Sequence, residues 1–260
     1  MKYVEVNGVK CVEIPPPTEN DILFFGLKRS GNHAILTWVL SHLETYRHYN
    51  NVFIMDGKCY VDFVSDINLS DDHPYSVNLY SFEDRVVFSN VNPLLDWSGL
   101  PSKQRIMIIR DPYNMYASRL QVHRNPNKDY PLLVKYWTAW TEAMNLDLWL
   151  SFAKEFTGET NHLGSDCIKV NYNTWLENER YRNELSLKHF GVVGEISKTT
   201  HKAGGGSSFE KLDGKPDKER LTNRWRHFLI DSEFSPLLRN REIARLSKTI
   251  FGFAHSQVRL

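Results

Sequence analysis

The basic segment at residues 26–33, Gly-Leu-Lys-Arg-Ser-Gly-Asn-His, joins an apolar run at residues 22–25 to a helical pattern that includes Leu36, Val39 and Leu40. A strand, a glycine-containing turn and a helix N-terminus together form an anion site. The reason is that successive backbone N–H groups point at one ligand and the helix end carries about half a positive charge. We therefore expect residues 26–33 to bind phosphate.

This loop resembles that of nucleoside-triphosphate enzymes without completing it. Its glycines have the spacing of G-x-x-x-x-G-K-[ST], yet Asn32 and His33 occupy the last two positions. The missing Lys would contact the transferring phosphate, and the missing hydroxyl would hold Mg²⁺. Lys28 and Arg29 instead lie inside the turn, where the guanidinium fork of Arg29 can engage two oxygens of a phosphate or sulfate. The alternative is an unrelated strand-to-helix turn with two solvated cations.

A second polar group is predicted at the end of another strand. The apolar run at residues 105–109 ends at Arg110, and Asp111 with Pro112 then starts a helix as N-cap and first helical residue. Strand ends of this kind line the ligand crevice of open α/β sheets. Ser118 lies nearly two turns into the helix, on a face that could point back to that crevice. A capped helix with an exposed Arg would give the same pattern.

The first segment resembles the 5'-phosphosulfate loop of sulfotransferases that use 3'-phosphoadenosine 5'-phosphosulfate (PAPS), roughly P-[KR]-S-G-[TS]-[TS]. Arg29 falls on the basic position and the Ser-Gly pair follows at residues 30–31, whereas Lys28 replaces the Pro and residues 32–33 replace the hydroxyl pair. The resemblance implies contacts to the 5' end of the nucleotide from Lys28, Arg29, Ser30, Gly31, Asn32 and His33.

The second segment resembles the 3'-phosphate motif of the same family, R-D-P-x-x-x-x-x-S. Arg110 and Ser118 stand at the family's spacing, which implies that both bind the 3'-phosphate. The two motifs also occur in the family's order, with room between them for the intervening strands and helices. Their joint occurrence is therefore stronger evidence than either motif alone.

Two further segments are weaker matches. Tyr172 ends an apolar run that is similar to the family's strand ending in Tyr-Glu-Asp, which implies a contact to adenine. Asn173 and Thr174 depart from the acidic pair, and a core Tyr at a strand end is an equal alternative. A Gly/Ser-rich stretch takes the place of the family's late loop over the 3'-phosphate, or is a plain linker. Its candidate ligands are Ser207, Ser208 and Lys211.

The resemblance implies sulfuryl transfer from PAPS as co-substrate, with 3',5'-ADP (PAP) as product. Negative charge grows on the bridging oxygen of the departing PAP, so catalysis needs a cation there and a base for the acceptor proton. Arg29 is the candidate for the first role, assisted by the N-terminus of the helix and by His33. No metal is needed, because sulfate carries less charge than phosphate.

The sequence leaves several candidates for the base, because the family's His after the third strand is absent. Asp56 fits the carboxylate that other branches place at or beyond the second strand, although an Asp before Gly is also a common turn residue. The alternatives are His33, Glu83, Asp84 and Asp96.

The strands and helices that would position these residues predict an α/β fold. Apolar runs at residues 22–27, 85–91, 105–110 and 167–172 predict strands, several followed by helical patterns, which favours a parallel sheet with helices on both faces. We expect one domain over residues 1–260 with a P-loop NTPase-like sulfotransferase architecture. It would hold a long helix at residues 130–156, a flexible loop at 197–217 and a helical C-terminal part at 218–260.

Composition limits the function further. The 32 Lys and Arg balance 31 Asp and Glu, so nothing global attracts nucleic acid. The three cysteines are odd in number, and no run approaches a signal peptide or a membrane span, which favours a cytoplasmic protein with free thiols. The expected partner is a hydroxyl-bearing acceptor: a carbohydrate first, then a small molecule or a protein tyrosine. The alternatives are a kinase or nucleotide hydrolase with a degenerate loop, and a non-catalytic nucleotide-binding protein.

Overall fold

A computed structural model describes residues 2–6, 9–55, 57–62, 76–84, 99–124, 145–193 and 223–255. The strands are β1 (Lys2–Val6), β2 (Val9–Ile14), β3 (Ile22–Gly26), β4 (Tyr46–Tyr49), β5 (Phe53–Met55), β6 (Lys58–Asp62), β7 (Val77–Glu83), β8 (Gln104–Ile109) and β9 (Ile168–Asn171). The helices are α1 (Asn32–Leu40), α2 (Pro112–His123), α3 (Leu146–Thr157), α4 (Tyr172–Glu177), α5 (Glu179–Phe190), α6 (Ser235–Arg239) and α7 (Arg241–Phe251), with a 3-10 helix at Arg224–Phe228.

The central sheet has five strands in the order β4-β7-β3-β8-β9, and every pair is parallel. The carboxyl ends of parallel strands lie at one edge of a sheet, so the segments that follow β3, β7 and β8 are neighbours. Gly26, the last residue of β3, pairs with Glu83 of β7. The predicted parallel sheet with flanking helices is confirmed.

Apolar residues cover both faces of this sheet. Leu23 and Phe25 of β3 join the core on the side of α2, α3 and α7, whereas Ile22 and Phe24 join the core on the side of α1 and α4. Strands that bury both faces are typical of parallel sheets between two helical layers. The loop after β3 is therefore held by a strand that is rigidly packed on both sides.

β7 lies beside β3, on the side away from β8. β7 spans residues 77–83, a stretch that the sequence analysis did not assign to a strand, and residues 85–91 lie outside the described residues. Polar side chains hide β7 in the sequence because they break its apolar pattern. Asn78 donates a hydrogen bond from Nδ2 to Asp21 Oδ1 at 2.9 Å, and Ser81 donates from Oγ to Asn50 Oδ1 at 3.1 Å. These partners are distant in the chain, so no local pattern reveals the strand.

A second, antiparallel sheet, in the order β1-β2-β6-β5, was not predicted. It encloses a small core around Cys11, Phe53 and Tyr60. All three cysteines of the chain are buried.

The prediction of one long helix over residues 130–156 is wrong, because a helix begins at Leu146 with Asn145 as its N-cap. Asn145 has an extended backbone with φ −66° and ψ 92°, and its side chain caps α3 by accepting the N–H of Leu148 at 3.1 Å. An Asn side chain competes for backbone N–H groups and so favours a helix start over a helix interior. Residues 130–144 lie outside the described residues. Within the part of the chain that the structure describes, no helix has the length and apolarity to cross a membrane.

Candidate anion-binding site

The loop after β3 is a tight turn with two left-handed residues. The N–H of Ser30 donates to the carbonyl of Leu27 at 3.0 Å, Arg29 has φ +71°, and Gly31 has φ +89°. A positive φ is uncommon for a residue with a Cβ and marks a conformation that the surroundings impose. Ser30 is fully buried, and its hydroxyl contacts Met115 Sδ at 3.4 Å. Ser30 thus fixes the turn by a backbone hydrogen bond within the loop and by a side-chain contact to α2.

The N-terminus of α1 is open to an external hydrogen-bond acceptor. Gly31 is its N-cap, and no side chain caps it. The other described helices of eight or more residues are capped by side chains, those of Asp111, Asn145, Asn178 and Asn240. The first N–H groups of a helix have no partner within the helix, so an anion at this end would satisfy them.

The ring of Tyr172 packs against Gly31 in the loop after β3. A Cβ added to Gly31 would lie 2.1 Å from Cε2 of Tyr172, so only glycine allows this approach. The Tyr172 ring is also 5.2 Å from the guanidinium carbon of Arg110, within the range of a cation–π contact, and it is 7% exposed. Tyr172 therefore packs against both motifs, while its predicted contact to adenine stays a prediction.

Arg110 and Ser118 meet the loop directly. Arg110, 4% exposed, donates from Nη1 to the carbonyl of Arg29 at 3.0 Å, and its own carbonyl accepts the indole N–H of Trp149 at 2.9 Å. Ser118 Oγ accepts a hydrogen bond from Nε of Arg29 at 3.1 Å. The two motifs therefore form one site in the folded chain.

Arg224 belongs to the same cluster and was missed by the sequence analysis. It begins the 3-10 helix, is 4% exposed, and donates from Nη1 to Ser118 Oγ at 3.3 Å. Its only sequence signal is a basic and aromatic run with Trp225 and Arg226 after the Gly/Ser-rich stretch, and that run does not indicate Ser118. The guanidinium groups of Arg29 and Arg224 thus share one hydroxyl, and a bound anion would relieve the repulsion between these two like charges.

Asp84 clamps the loop on its other side. Its Oδ1 accepts the N–H of Lys28 at 3.0 Å and pairs with Nη2 of Arg119 at 2.6 Å, while Arg119 Nε donates to the carbonyl of Lys28 at 3.2 Å. Asp84 also has a positive φ of +56°. Its carboxylate is thus used to hold Lys28 and Arg119 in place.

Three side chains near the start of α1 keep a buried polar atom without a hydrogen bond. Asn32 donates from Nδ2 to the carbonyl of Leu27 at 3.1 Å, but its Oδ1 has no partner. The same holds for Nδ1 of His33 and for Oε1 of Glu83, which is 6% exposed. Buried polar groups are normally hydrogen-bonded, so each such atom needs an explanation.

Asn173 replaces an acidic residue of the family's Tyr-Glu-Asp motif, and the structure gives a reason for this difference. Its amide donates from Nδ2 to Asp111 Oδ2 at 2.9 Å and accepts the Asp111 N–H at 3.2 Å. An acidic residue at position 173 could not donate to that carboxylate. The remaining predicted residues lie outside the described residues, and their roles stay predictions: Asp56, Asp96, Ser207, Ser208 and Lys211.

Comparison with known proteins gives structural matches only. No protein-family model and no curated protein matches the sequence. The sulfotransferase domain of the Synechococcus PCC 7002 olefin synthase superposes with a TM-score of 0.50 at 11% identity, over 92% of this chain and 97% of that domain. Mouse sulfotransferase SULT7A1 complexed with PAP gives 0.41 at 13% identity over 90% of each chain. Retinol dehydratase in a complex with retinol and PAP gives 0.36 at 10% identity, over 92% of this chain and 72% of that one. The first of these establishes a sulfotransferase fold for this chain.

Proposed function

We propose that this protein is a sulfotransferase that moves the sulfuryl group of PAPS to a hydroxyl acceptor. The observation that carries the proposal is the convergence of Arg29, Arg110 and Ser118 at the carboxyl edge of the sheet, beside the uncapped start of α1. That arrangement has cationic and N–H donors for an anionic nucleotide. The sulfotransferase fold of the chain supports the same reaction.

We assign the roles of the residues from their match to the two sulfotransferase motifs. The N-terminus of α1 and residues 28–33 bind the 5' end of the nucleotide, where PAPS supplies the sulfuryl group. Arg29 stabilises the charge on the leaving oxygen. Arg110 and Ser118 bind the 3'-phosphate, and Arg224 joins them because it contacts the same hydroxyl. A guanidinium suits these roles because it engages two oxygens of a phosphate at once.

The rival activities predict a different ligand. A kinase or nucleotide hydrolase would bind ATP with Mg²⁺, but this loop has Asn32 and His33 where those enzymes have Lys and a hydroxyl. Calorimetric titration with PAP and with ATP, both in EDTA, separates the two. We expect PAP to bind at least about tenfold more tightly, which corresponds to about 1.4 kcal/mol. Preference for ATP, or a metal requirement for PAP, would contradict the proposal.

A second experiment separates an enzyme from a non-catalytic binder. Arg29→Ala is expected to lower transfer from labelled PAPS to a pool of sugars, phenols and tyrosine peptides by about a hundredfold or more, because it removes a cation from the leaving group. Arg180→Ala is the matched control, since the Arg180 side chain is 88% exposed and pairs with Glu184 on α5. Among acceptors we favour carbohydrates, then small molecules or protein tyrosine. Equal turnover of the two variants would remove Arg29 from the mechanism.

A further inference from the structure

Glu83 is a buried acid with an unused oxygen at the edge of the sheet that holds the candidate site. It ends β7, its residue is 6% exposed, and its Oε1 makes no hydrogen bond. Burying a carboxylate oxygen without a partner is costly, so this atom needs an explanation. An acceptor atom of this kind is a candidate contact for a bound group that donates a hydrogen bond.

The sheet register places the Glu83 side chain beside the start of α1. Side chains alternate between the faces of a strand, and Leu79 of β7 and Phe24 of β3 both face the core on the α1 side. Glu83 and Gly26 therefore lie on that same face, and they are paired neighbours. Paired strands are about 4.8 Å apart, so the two Cβ directions run side by side.

Asn32 occupies the space directly over Gly26. A Cβ added to Gly26 would lie 2.2 Å from Asn32 Oδ1, which is itself buried and without a partner. The Glu83 carboxylate, one strand away on the same face, therefore lies within reach of a small group placed next to Asn32. Asn32 Oδ1 and Glu83 Oε1 are both unpaired acceptors, and acceptor oxygens suit a ligand that donates hydrogen bonds, such as a hydroxyl.

The contacts of Asp84 fix how close Glu83 is to the phosphate-binding loop. Asp84 follows Glu83 directly and accepts the N–H of Lys28 at 3.0 Å, and its own N–H donates to the carbonyl of Gly26 at 3.3 Å. The chain at residues 83–84 is thus hydrogen-bonded to both ends of the segment from Gly26 to Lys28. Asp84 Oδ1 accepts hydrogen bonds from Lys28 and Arg119, whereas Glu83 Oε1 accepts none.

We propose that Glu83 is the general base that accepts the proton of the acceptor hydroxyl, an inference that rests on the proposed function. The acceptor O–H bond breaks and its proton goes to Glu83 Oε1, while the acceptor oxygen forms a bond to the sulfur of PAPS. The bond between sulfur and the bridging oxygen breaks, and PAP leaves with that electron pair. The acceptor is therefore a hydroxyl donor that reaches the α1 side of the β3 and β7 ends.

The test compares two buried glutamates. Glu83→Gln removes the base but keeps the shape of the side chain, and it adds an N–H donor close to the unpaired Oδ1 of Asn32. Glu155→Gln is the matched control, because Glu155 is also fully buried but its carboxylate accepts hydrogen bonds from Thr160, His162 and Leu163. Each variant is measured for release of PAP from PAPS, with water and a pool of sugars and phenols as hydroxyl acceptors, for PAP affinity by calorimetry, and for Tm.

We expect Glu83→Gln to lose about a hundredfold or more of the release rate, to bind PAP as tightly as the unmodified chain, and to keep or raise Tm. Glu155→Gln should show the reverse pattern, with a lower Tm and an unchanged release rate per folded molecule. A release rate for Glu83→Gln near that of the unmodified chain would overturn the assignment. A lower Tm for that variant would do the same, since it would make Glu83 a structural ligand.

Asp56→Asn distinguishes the competing carboxylate. If it abolishes release while Glu83→Gln does not, Asp56 is the base and Glu83 is not. If the proposed function itself is wrong, the unmodified chain will neither bind PAP nor release PAP from PAPS.

Discussion

Nε of Arg29 donates a hydrogen bond to Oγ of Ser118 at 3.1 Å, across 89 residues of chain. This contact joins the loop after β3 to the second turn of α2. Ser118 also accepts a hydrogen bond from Arg224 at 3.3 Å, so one hydroxyl orients two guanidinium groups. A hydroxyl fixes their direction without neutralising their charge. Side chains fixed in advance bind an anion at a smaller cost in entropy.

Loss of the Ser118 hydroxyl should weaken nucleotide binding. In Ser118→Ala both Arg29 and Arg224 lose their common acceptor, and we expect PAP affinity to fall about tenfold, or about 1.4 kcal/mol. Isothermal calorimetry measures this directly. Ser151→Ala is the control, since its exposed hydroxyl only donates to a carbonyl within α3. Equal PAP affinities of the two variants would show that Ser118 does not organise the site.

A side chain at position 31 should disturb the loop through Tyr172. Gly31→Ala combines a left-handed backbone with a Cβ at 2.1 Å from the Tyr172 ring. Gly158→Ala has a similar φ of +83° but no heavy atom within 4 Å, so it isolates the backbone cost of about 1–2 kcal/mol. We expect Gly31→Ala to cost a further ~1–3 kcal/mol of unfolding free energy in urea.

The clash can be tested by a double mutant. Adding Tyr172→Ala to Gly31→Ala should cost less than the sum of the two single changes, because the ring that the new methyl group meets is gone. Strict additivity would mean that Gly31 and Tyr172 do not constrain each other.

The cysteines should resist alkylation in the folded protein. Burial raises the pKa of Cys59 to about 11 and that of Cys167 to about 12, and Cys11 is fully buried. The thiolate is the reactive form, so at pH 8 we expect iodoacetamide to label the native chain at least about a hundredfold more slowly than the chain in denaturant. Mass spectrometry over time gives both rates. Native labelling within a few fold of the denatured rate would contradict this burial.

Glu155 should make stability depend on acid pH. Burial alone would raise the pKa of Glu155, but hydrogen bonds from Thr160 Oγ1 and from the N–H groups of Leu163 and His162 outweigh it and hold the pKa below its usual value. The carboxylate therefore contributes stability above the unfolded pKa of about 4.3, and this contribution is lost as pH falls through the lower folded pKa.

Urea unfolding of Glu155→Gln tests the sign of this effect. At pH 7 the variant should be about 1–3 kcal/mol less stable than the unmodified chain, and the difference should shrink as the pH falls below 4. Glu44→Gln, at an exposed position, should show no difference at either pH. A gap for Glu155→Gln that stayed constant with pH would show that the charge of the carboxylate is not what the fold uses.

The features of this protein that depend on neighbouring residues could be predicted before the structure was known. The strand and turn around Arg29, and the helix start at Asp111 and Pro112, follow from local hydrogen-bonding and backbone preferences, and their order along the chain was enough to predict a parallel sheet with one crevice. Asp111 caps α2 by accepting the N–H of Asn114 at 2.8 Å, as its residue type predicts. Helix caps and turns are readable because their energies are set within a few residues.

The residues that meet in that crevice could be identified only from the folded chain. Arg224 reaches Ser118 across 106 residues, and Asp84 reaches Lys28 across 56. β7 is a strand because distant partners satisfy its polar side chains, and its register places Glu83 beside Gly26. Hydrogen bonds of this kind depend on the packing of the whole sheet. The composition and spacing of the contributing segments therefore do not predict them.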